Sequence, residues 1–159
     1  MIRELLGLAE GILQDLHNDH VEIASLISRI EKSDDRAERE ALFEEMKTKL
    51  LGHAHAEQEV LYRRLEDSQS EDSRSFALEG SNEHQIVENQ LEKVSADRDR
   101  MSESWMAELK VLRELIEHHV KEEETTGFSC ARDDFAKDEL EAMAQQFQIR
   151  KAQLMTKVA

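Results

Sequence analysis

Hydrophobic residues recur at intervals of three and four along most of the chain, which is the spacing of amphipathic helices. In the first predicted helix, for example, Leu16, Ile23 and Ile27 fall on one stripe. The predicted helices run from about Arg3 to Glu31, Arg36 to Leu65, Ser73 to Arg98, Ser102 or Ser104 to Glu124, and Asp133 to Lys157. The fifth helix is the most weakly amphipathic.

Polar segments mark the ends of these helices. Ser33-Asp34-Asp35 predicts a turn and an N-cap for the second helix. The segment from Asp67 to Ser75 is the most loop-like stretch of the chain, and Thr125-Thr126-Gly127 is predicted to end the fourth helix at a glycine stop.

Four long helices joined by short connections favour an all-α fold, an up-down-up-down four-helix bundle with an additional C-terminal helix. We expect residues 1–130 to form the bundle and residues 131–159 to pack on its outside or cap one end. The composition agrees, because the chain has no proline, five glycines and 36% charged residues. The turn and strand signals of a sheet protein are missing.

The formal net charge of −15 argues against direct binding of nucleic acid or of an anionic membrane surface. No run of about 20 apolar residues predicts a membrane span. The first residues, Met1 to Leu6, lack the features of a signal peptide, and the single cysteine, Cys130, rules out an internal disulfide. The expected location is the cytoplasm.

All seven histidines fall into four clusters, one for each predicted bundle helix. Counting back by helical periods places His20, His53 and His84 within apolar stripes. His119 follows Leu112 and Ile116 in the same way, although the alternative frame through His118 is close. Burying four imidazoles is costly unless they share a partner.

Glutamates accompany three of these histidines at the next helical turn. Glu57, Glu88 and Glu123 each lie four residues after an in-stripe histidine, so each pair shares a helix face. Helical bundles build dinuclear carboxylate sites from such pairs. The candidate metal ligands are His20, His53, Glu57, His84, Glu88, His119 and Glu123. Mixed imidazole and carboxylate ligands suit iron or manganese, and zinc less specifically.

Four motifs make the chain resemble a known family over about residues 10–130. They are Asp19-His20-Val21-Glu22-Ile23, His53-x-x-x-Glu57-Gln58-Glu59-Val60-Leu61-Tyr62, Glu83-His84-Gln85-Ile86-Val87, and His118-His119-Val120-Lys121-Glu122-Glu123-Glu124 with Phe128. In this order and spacing they resemble the hemerythrin-like, HHE cation-binding family of four-helix bundles. The resemblance favours His119 over His118, because Phe128 then follows by nine residues, as Tyr62 follows His53.

The resemblance implies two non-haem iron ions, joined by an oxo or hydroxo bridge, with histidine and glutamate ligands. Carried over by position, those ligands would be His20, His53, Glu57, His84, His119 and Glu123. Oxygen-carrying members have a histidine at the position that is Glu88 here. This departure puts simple reversible oxygen carriage in doubt.

The leading hypothesis is therefore a di-iron protein that binds or reacts with oxygen, peroxide or nitric oxide. The alternative is iron storage, delivery or sensing without turnover. In that case apolar residues of the fifth helix, expected to be exposed, would bind a partner or form a homodimer; they are Phe135, Leu140, Phe147 and Leu154. A di-iron enzyme of peroxidase-like or oxygenase type is a third hypothesis, for which the sequence offers no substrate pocket.

Overall fold

The computed structural model describes residues 10–158, which form helices joined by short connections and contain no strand. Helix α1 spans Gly11–Lys32, α2 Arg36–Glu57, α3 Glu71–Ala96, α4 Glu103–Glu122 and α5 Lys137–Val158. Helix α2 continues without a break through the π-helical turn Gln58–Tyr62 into Arg63–Glu66. Helix α4 continues in the same way through Glu123–Gly127 into Phe128–Asp134.

The predicted all-α bundle is confirmed. Each of α1 to α4 packs on its two neighbours, so the four helices close around one interior. Side-chain caps fix three of the starts: Asp35 accepts from the backbone of Glu38, Ser70 from Ser73, and Ser102 from Trp105. The residues between Arg3 and Ala9, where the first helix was predicted to begin, lie outside the described part of the chain.

The predicted stop at Gly127 is wrong, because the helix runs on to Asp134. Gly127 serves close packing instead. A Cβ added there would lie 2.4 Å from the ring of Phe76, so only glycine allows α3 to approach this closely. The local stop signal is overridden by a contact between helices.

Helix α5 lies against α1 and α2. Its apolar residues Leu140, Met143 and Phe147 are fully or almost fully buried, and Phe135 and Leu154 pack partly buried beside them. The exposed apolar face expected for this helix is thus not found in α5. Within residues 10–158, no helix has the length and apolar character needed to cross a membrane.

Two apolar clusters fill the interior. One surrounds Phe43 and Trp105, and the other surrounds Tyr62, Phe128 and Phe147. A layer of buried histidines and glutamates separates them: in α1, for instance, His20 lies between Leu16 of one cluster and Ile23 of the other. The polar layer is therefore held between two packed apolar cores.

Candidate metal centre

Six of the seven predicted ligands meet in this layer. His20 and His53 form one group with Glu57 and Glu123, and His84 and His119 form a second group with the same two glutamates. Within each group, one ligand atom from every residue lies within 4.8 Å of the others. The two groups share both carboxylates, which is the arrangement of a dinuclear site with two bridging glutamates.

The four imidazoles present their Nε2 atoms to the interior. His20 Nε2 lies 3.0 Å from Glu123 Oε1, and His84 Nε2 lies 3.2 Å from Glu57 Oε1. The two Nε2 atoms of His84 and His119 are 2.9 Å apart. Each helix thus contributes one inward nitrogen to a common centre.

Every one of these imidazoles is held through Nδ1 by an acceptor on the neighbouring helix. The distances are 2.9 Å for His53 to Asp19, 3.1 Å for His84 to Gln58, 2.8 Å for His119 to Glu83 and 2.7 Å for His20 to Glu124. The contacts form a closed ring, in which each helix holds the ligand of the next. An Nδ1–H that donates outward leaves the Nε2 lone pair free for a metal.

Three of the four acceptors are carboxylates that also contact a second base farther out. Glu124 accepts from His17 at 2.8 Å, and Glu83 lies 3.2 Å from His118 Nε2. Asp19 accepts from Lys151 of α5 at 2.9 Å. These outer pairs hold the carboxylates in place behind the imidazoles.

The centre has buried polar atoms that the described residues do not satisfy. His20 Nε2, both oxygens of Glu57 and Glu123 Oε1 have no hydrogen-bond partner among residues 10–158. Although His20 Nε2 and Glu123 Oε1 are close, they are not aligned for a hydrogen bond. Buried polar groups are rarely left unpaired. Converging lone pairs of nitrogen and oxygen are the donor set of a metal ion, so the residues present fit one.

The charges of the buried groups also favour a bound cation. Burial disfavours imidazolium at His20, yet the adjacent negative charge of Glu123 and the hydrogen-bonded carboxylate of Glu124 outweigh it and raise the pKa to about 9. For His119, Glu123 and Glu83 likewise outweigh burial and raise the pKa to about 9. The carboxylates therefore attract positive charge, which protons supply when no cation is bound.

The two central glutamates differ from each other. Burial and the adjacent charge of Glu123 raise the pKa of Glu57 well above its usual value. At Glu123 burial also opposes ionisation, but the adjacent imidazoles of His119 and His20 outweigh it and hold the pKa well below the usual value. Two carboxylates this close cannot both ionise without cations between them.

A tyrosine hydroxyl completes one side of the centre. Tyr62 is fully buried, donates to Glu123 Oε2 and lies 3.2 Å from His119 Nε2. Phe128 follows the pair His119 and Glu123 at the same spacing as Tyr62 follows His53 and Glu57, and it has no hydroxyl. Glu123 accordingly accepts a hydrogen bond from Tyr62, whereas neither carboxylate oxygen of Glu57 has a hydrogen-bond partner among residues 10–158.

Each π-helical turn comes directly at the end of a His-x-x-x-Glu pair. Nine residues of regular α-helix rotate the chain by about 900°, which would place Tyr62 on the face opposite to His53. A π turn accommodates an extra residue, so the rotation approaches that of eight residues, and the aromatic side chain returns toward the interior. The same geometry applies to His119 and Phe128.

Glu88 lies outside both groups and contacts His55 instead. The reason is the antiparallel packing. Four residues correspond to about 6 Å along a helix, and α3 runs opposite to α2 and α4. Glu57 and Glu123 are therefore displaced toward one end of the bundle, whereas Glu88 is displaced toward the other. His17 and His118 contact the outer carboxylates and also lie outside both groups.

Sequence reasoning missed the four acceptors that hold the imidazoles. Each is the immediate sequence neighbour of a ligand on its own helix: Asp19 precedes His20, Glu83 precedes His84, Gln58 follows Glu57 and Glu124 follows Glu123. This regularity was available in the motifs. What it could not show is that each acceptor serves the next helix.

A small cavity adjoins the centre. It has a volume of about 20 Å³ and is lined by the four inward histidines together with aliphatic side chains. The aliphatic lining residues are Ile23, Leu50, Ala54, Val87, Ile116 and Val120. This volume suits a molecule of about the size of one water.

Comparison with known proteins agrees with this geometry. A protein described as a DNA nickase from Nostoc sp. (strain PCC 7120 / SAG 25.82 / UTEX 2576) is 23% identical over 147 residues, which are 92% of this chain but 41% of that protein. The chain therefore spans about two fifths of the length of this relative. No solved structure gives a significant match. The family described as the hemerythrin HHE cation binding domain matches residues 11–131, and the chain belongs to this family.

Proposed function

We propose that the centre holds two iron ions and that the protein binds or reacts with oxygen, peroxide or nitric oxide. The observation that carries this proposal is the pair of buried groups that share Glu57 and Glu123. In it, His20 and His53 would bind one ion, His84 and His119 the other, and the two glutamates would bridge them. Iron in such a site supplies a redox-active Lewis acid for a small ligand.

The protein around the centre supports a small ligand. The adjoining cavity of about 20 Å³ is lined by aliphatic side chains besides the four histidines, and its size excludes bulky substrates. The outward hydrogen bonds of the imidazoles keep their Nε2 atoms aimed inward. The hydroxyl of Tyr62 places a proton beside Glu123, within the buried layer.

The activity named for the Nostoc relative is not part of the proposal. A DNA nickase must contact phosphates, and a formal net charge of −15 disfavours such contact. The relative also has more than half of its length outside the region that this chain matches.

Metal analysis of the purified protein tests the proposal. We expect close to two iron ions per chain and a ferric absorption that changes when azide, peroxide or nitric oxide is added. The His53→Ala variant should lose iron. The His55→Ala variant is the matched control, because it removes an imidazole from the same helix and leaves both groups intact. A folded wild-type protein that takes up no iron would contradict the proposal.

A further inference from the structure

The carboxylate of Asp19 connects the centre to the C-terminal helix. Its Oδ2 accepts from His53 Nδ1 at 2.9 Å, and its two oxygens accept from Lys151 Nζ at 2.9 and 3.0 Å. Lys151 belongs to α5, which lies beyond the family match of residues 11–131. The cation that holds this acceptor is thus supplied from outside the matched bundle.

Lys151 occupies the place that histidines occupy behind the other two outer carboxylates. There, His17 and His118 come from the same helices as the ligands they support. In α2 the nearby His55 contacts Glu88 instead, so the support for His53 comes from α5.

The lysine contact is also the most enclosed of the three. The Lys151 side chain is 17% exposed, compared with 32% for His17 and 65% for His118. Water competes least for an enclosed ion pair, so this contact constrains its carboxylate most strongly.

A second residue of α5 fixes the position of the same imidazole. The Phe147 ring packs edge-on against His53, with centroids 5.8 Å apart and an angle of 85°. Phe147 is fully buried, and Lys151 Nζ lies 5.2 Å from its ring centroid. Helix α5 therefore contacts His53 directly on one side and through Asp19 on another.

We propose that Lys151 is a positioning residue of the metal centre, which acts through Asp19 to keep His53 Nε2 directed at the ion shared with His20. The proposal rests on the proposed function, since that assigns His53 as a ligand. Its consequence is that two bound ions would be held unequally: α5 would support the ion of His20 and His53, and the ion of His84 and His119 would have no such support from the described part of α5.

The experiment compares Lys151→Met with two other variants. Lys151→Arg keeps a cation that can donate to both oxygens of Asp19. Arg150→Met is the matched control, because Arg150 also pairs α5 with the bundle, through Glu59 at 2.6 Å, but touches no part of the centre. Lys151→Gln, which keeps a donor without the charge, replaces the methionine variant if that variant does not fold.

Two measurements are made on each protein. The first is the time course of iron loss to a ferrous chelator from the reduced, iron-loaded protein. The second is the ¹⁵N chemical shifts of the His53 ring in the metal-free protein, which report the nitrogen that carries the proton. A general loss of stability does not alter the tautomer of one folded histidine.

For Lys151→Met we expect one of the two ions to be lost about tenfold faster, at the low end of the effect of removing a ligand's direct partner, because Lys151 acts one contact farther out. The other ion should leave at the wild-type rate, and His53 should no longer be protonated on Nδ1 alone. Lys151→Arg should restore both readouts, and Arg150→Met should resemble the wild type.

Equal behaviour of Lys151→Met and Arg150→Met in both measurements would overturn the inference. A wild-type protein that binds no iron would refute the proposed function. The metal-free ¹⁵N measurement would still decide the role of Lys151: an unchanged His53 tautomer in Lys151→Met would overturn it, and a changed one would support it.

Discussion

The hydroxyl of Tyr62 provides the sharpest test of how the centre is stabilised. Replacing Tyr62 with Phe removes one oxygen and leaves the ring packed where it is. The hydroxyl donates to Glu123, and both side chains are fully buried, so water cannot replace the lost bond. A hydrogen bond to a charged group is worth about 1.5–3 kcal/mol.

At 1.36 kcal/mol per factor of ten, this range corresponds to roughly a tenfold to 150-fold change in an equilibrium constant. We therefore expect Tyr62→Phe to lower the free energy of unfolding of the metal-free protein by about 1.5–3 kcal/mol. We also expect iron to be lost faster from the loaded protein. Urea unfolding followed by circular dichroism measures the first, and chelator competition measures the second.

Phe76→Leu is the control for the tyrosine prediction. Phe76 packs edge-on against the Tyr62 ring at 5.6 Å, so its truncation weakens packing and spares the hydroxyl. This variant should unfold more easily yet lose iron at the wild-type rate. If Tyr62→Phe matched the wild type in both assays, the hydroxyl would have no role in stabilising Glu123.

Three further predictions concern pH and the ends of the bundle. The folded-state pKa values of His20 and His119 are raised to about 9, so protonation of these imidazoles stabilises the metal-free protein fully below about pH 6.5. This stabilisation is lost as pH rises through 9. Equal urea midpoints at pH 7 and pH 9 would contradict this prediction. Arg100→Met should lower the free energy of unfolding in urea by about 2–4 kcal/mol, because the buried guanidinium donates to three carbonyls at the end of α3. A decrease below about 1 kcal/mol would show that these carbonyls find other donors. Gly11→Ala should lower the free energy of unfolding by more than about 1 kcal/mol, because φ is +50° and a Cβ would lie 2.2 Å from the Leu140 carbonyl oxygen. An unchanged melting temperature would refute this prediction.

Local periodicity explains why the helices and the inward histidines could be predicted. The neighbours of His53 at helical spacing are apolar, whereas those of His55 are not, and the structure places His53 in the buried layer and His55 on Glu88. A stripe is a property of one helix, so sequence alone is enough to identify it.

Contacts between helices account for what the sequence did not show. Gly127 has the local character of a helix stop, but the approach of Phe76 decides its role. Glu88 has the same spacing from a histidine as Glu57, but the opposite direction of α3 moves it to the other side of the layer. Asp19 serves His53 only because α1 and α2 pack at one particular register.

The two π-helical turns have a consequence for how this chain can change. Deleting one residue from Gln58–Tyr62 would restore a regular helix, with a complete backbone ladder and no local loss. The same deletion would leave Tyr62 eight regular-helix residues after His53, about 800° of rotation, so its ring would keep its direction toward Glu123. The π turn thus absorbs its extra residue without changing the register of the helix on either side, and a chain could lose that residue and still keep the contact between Tyr62 and Glu123.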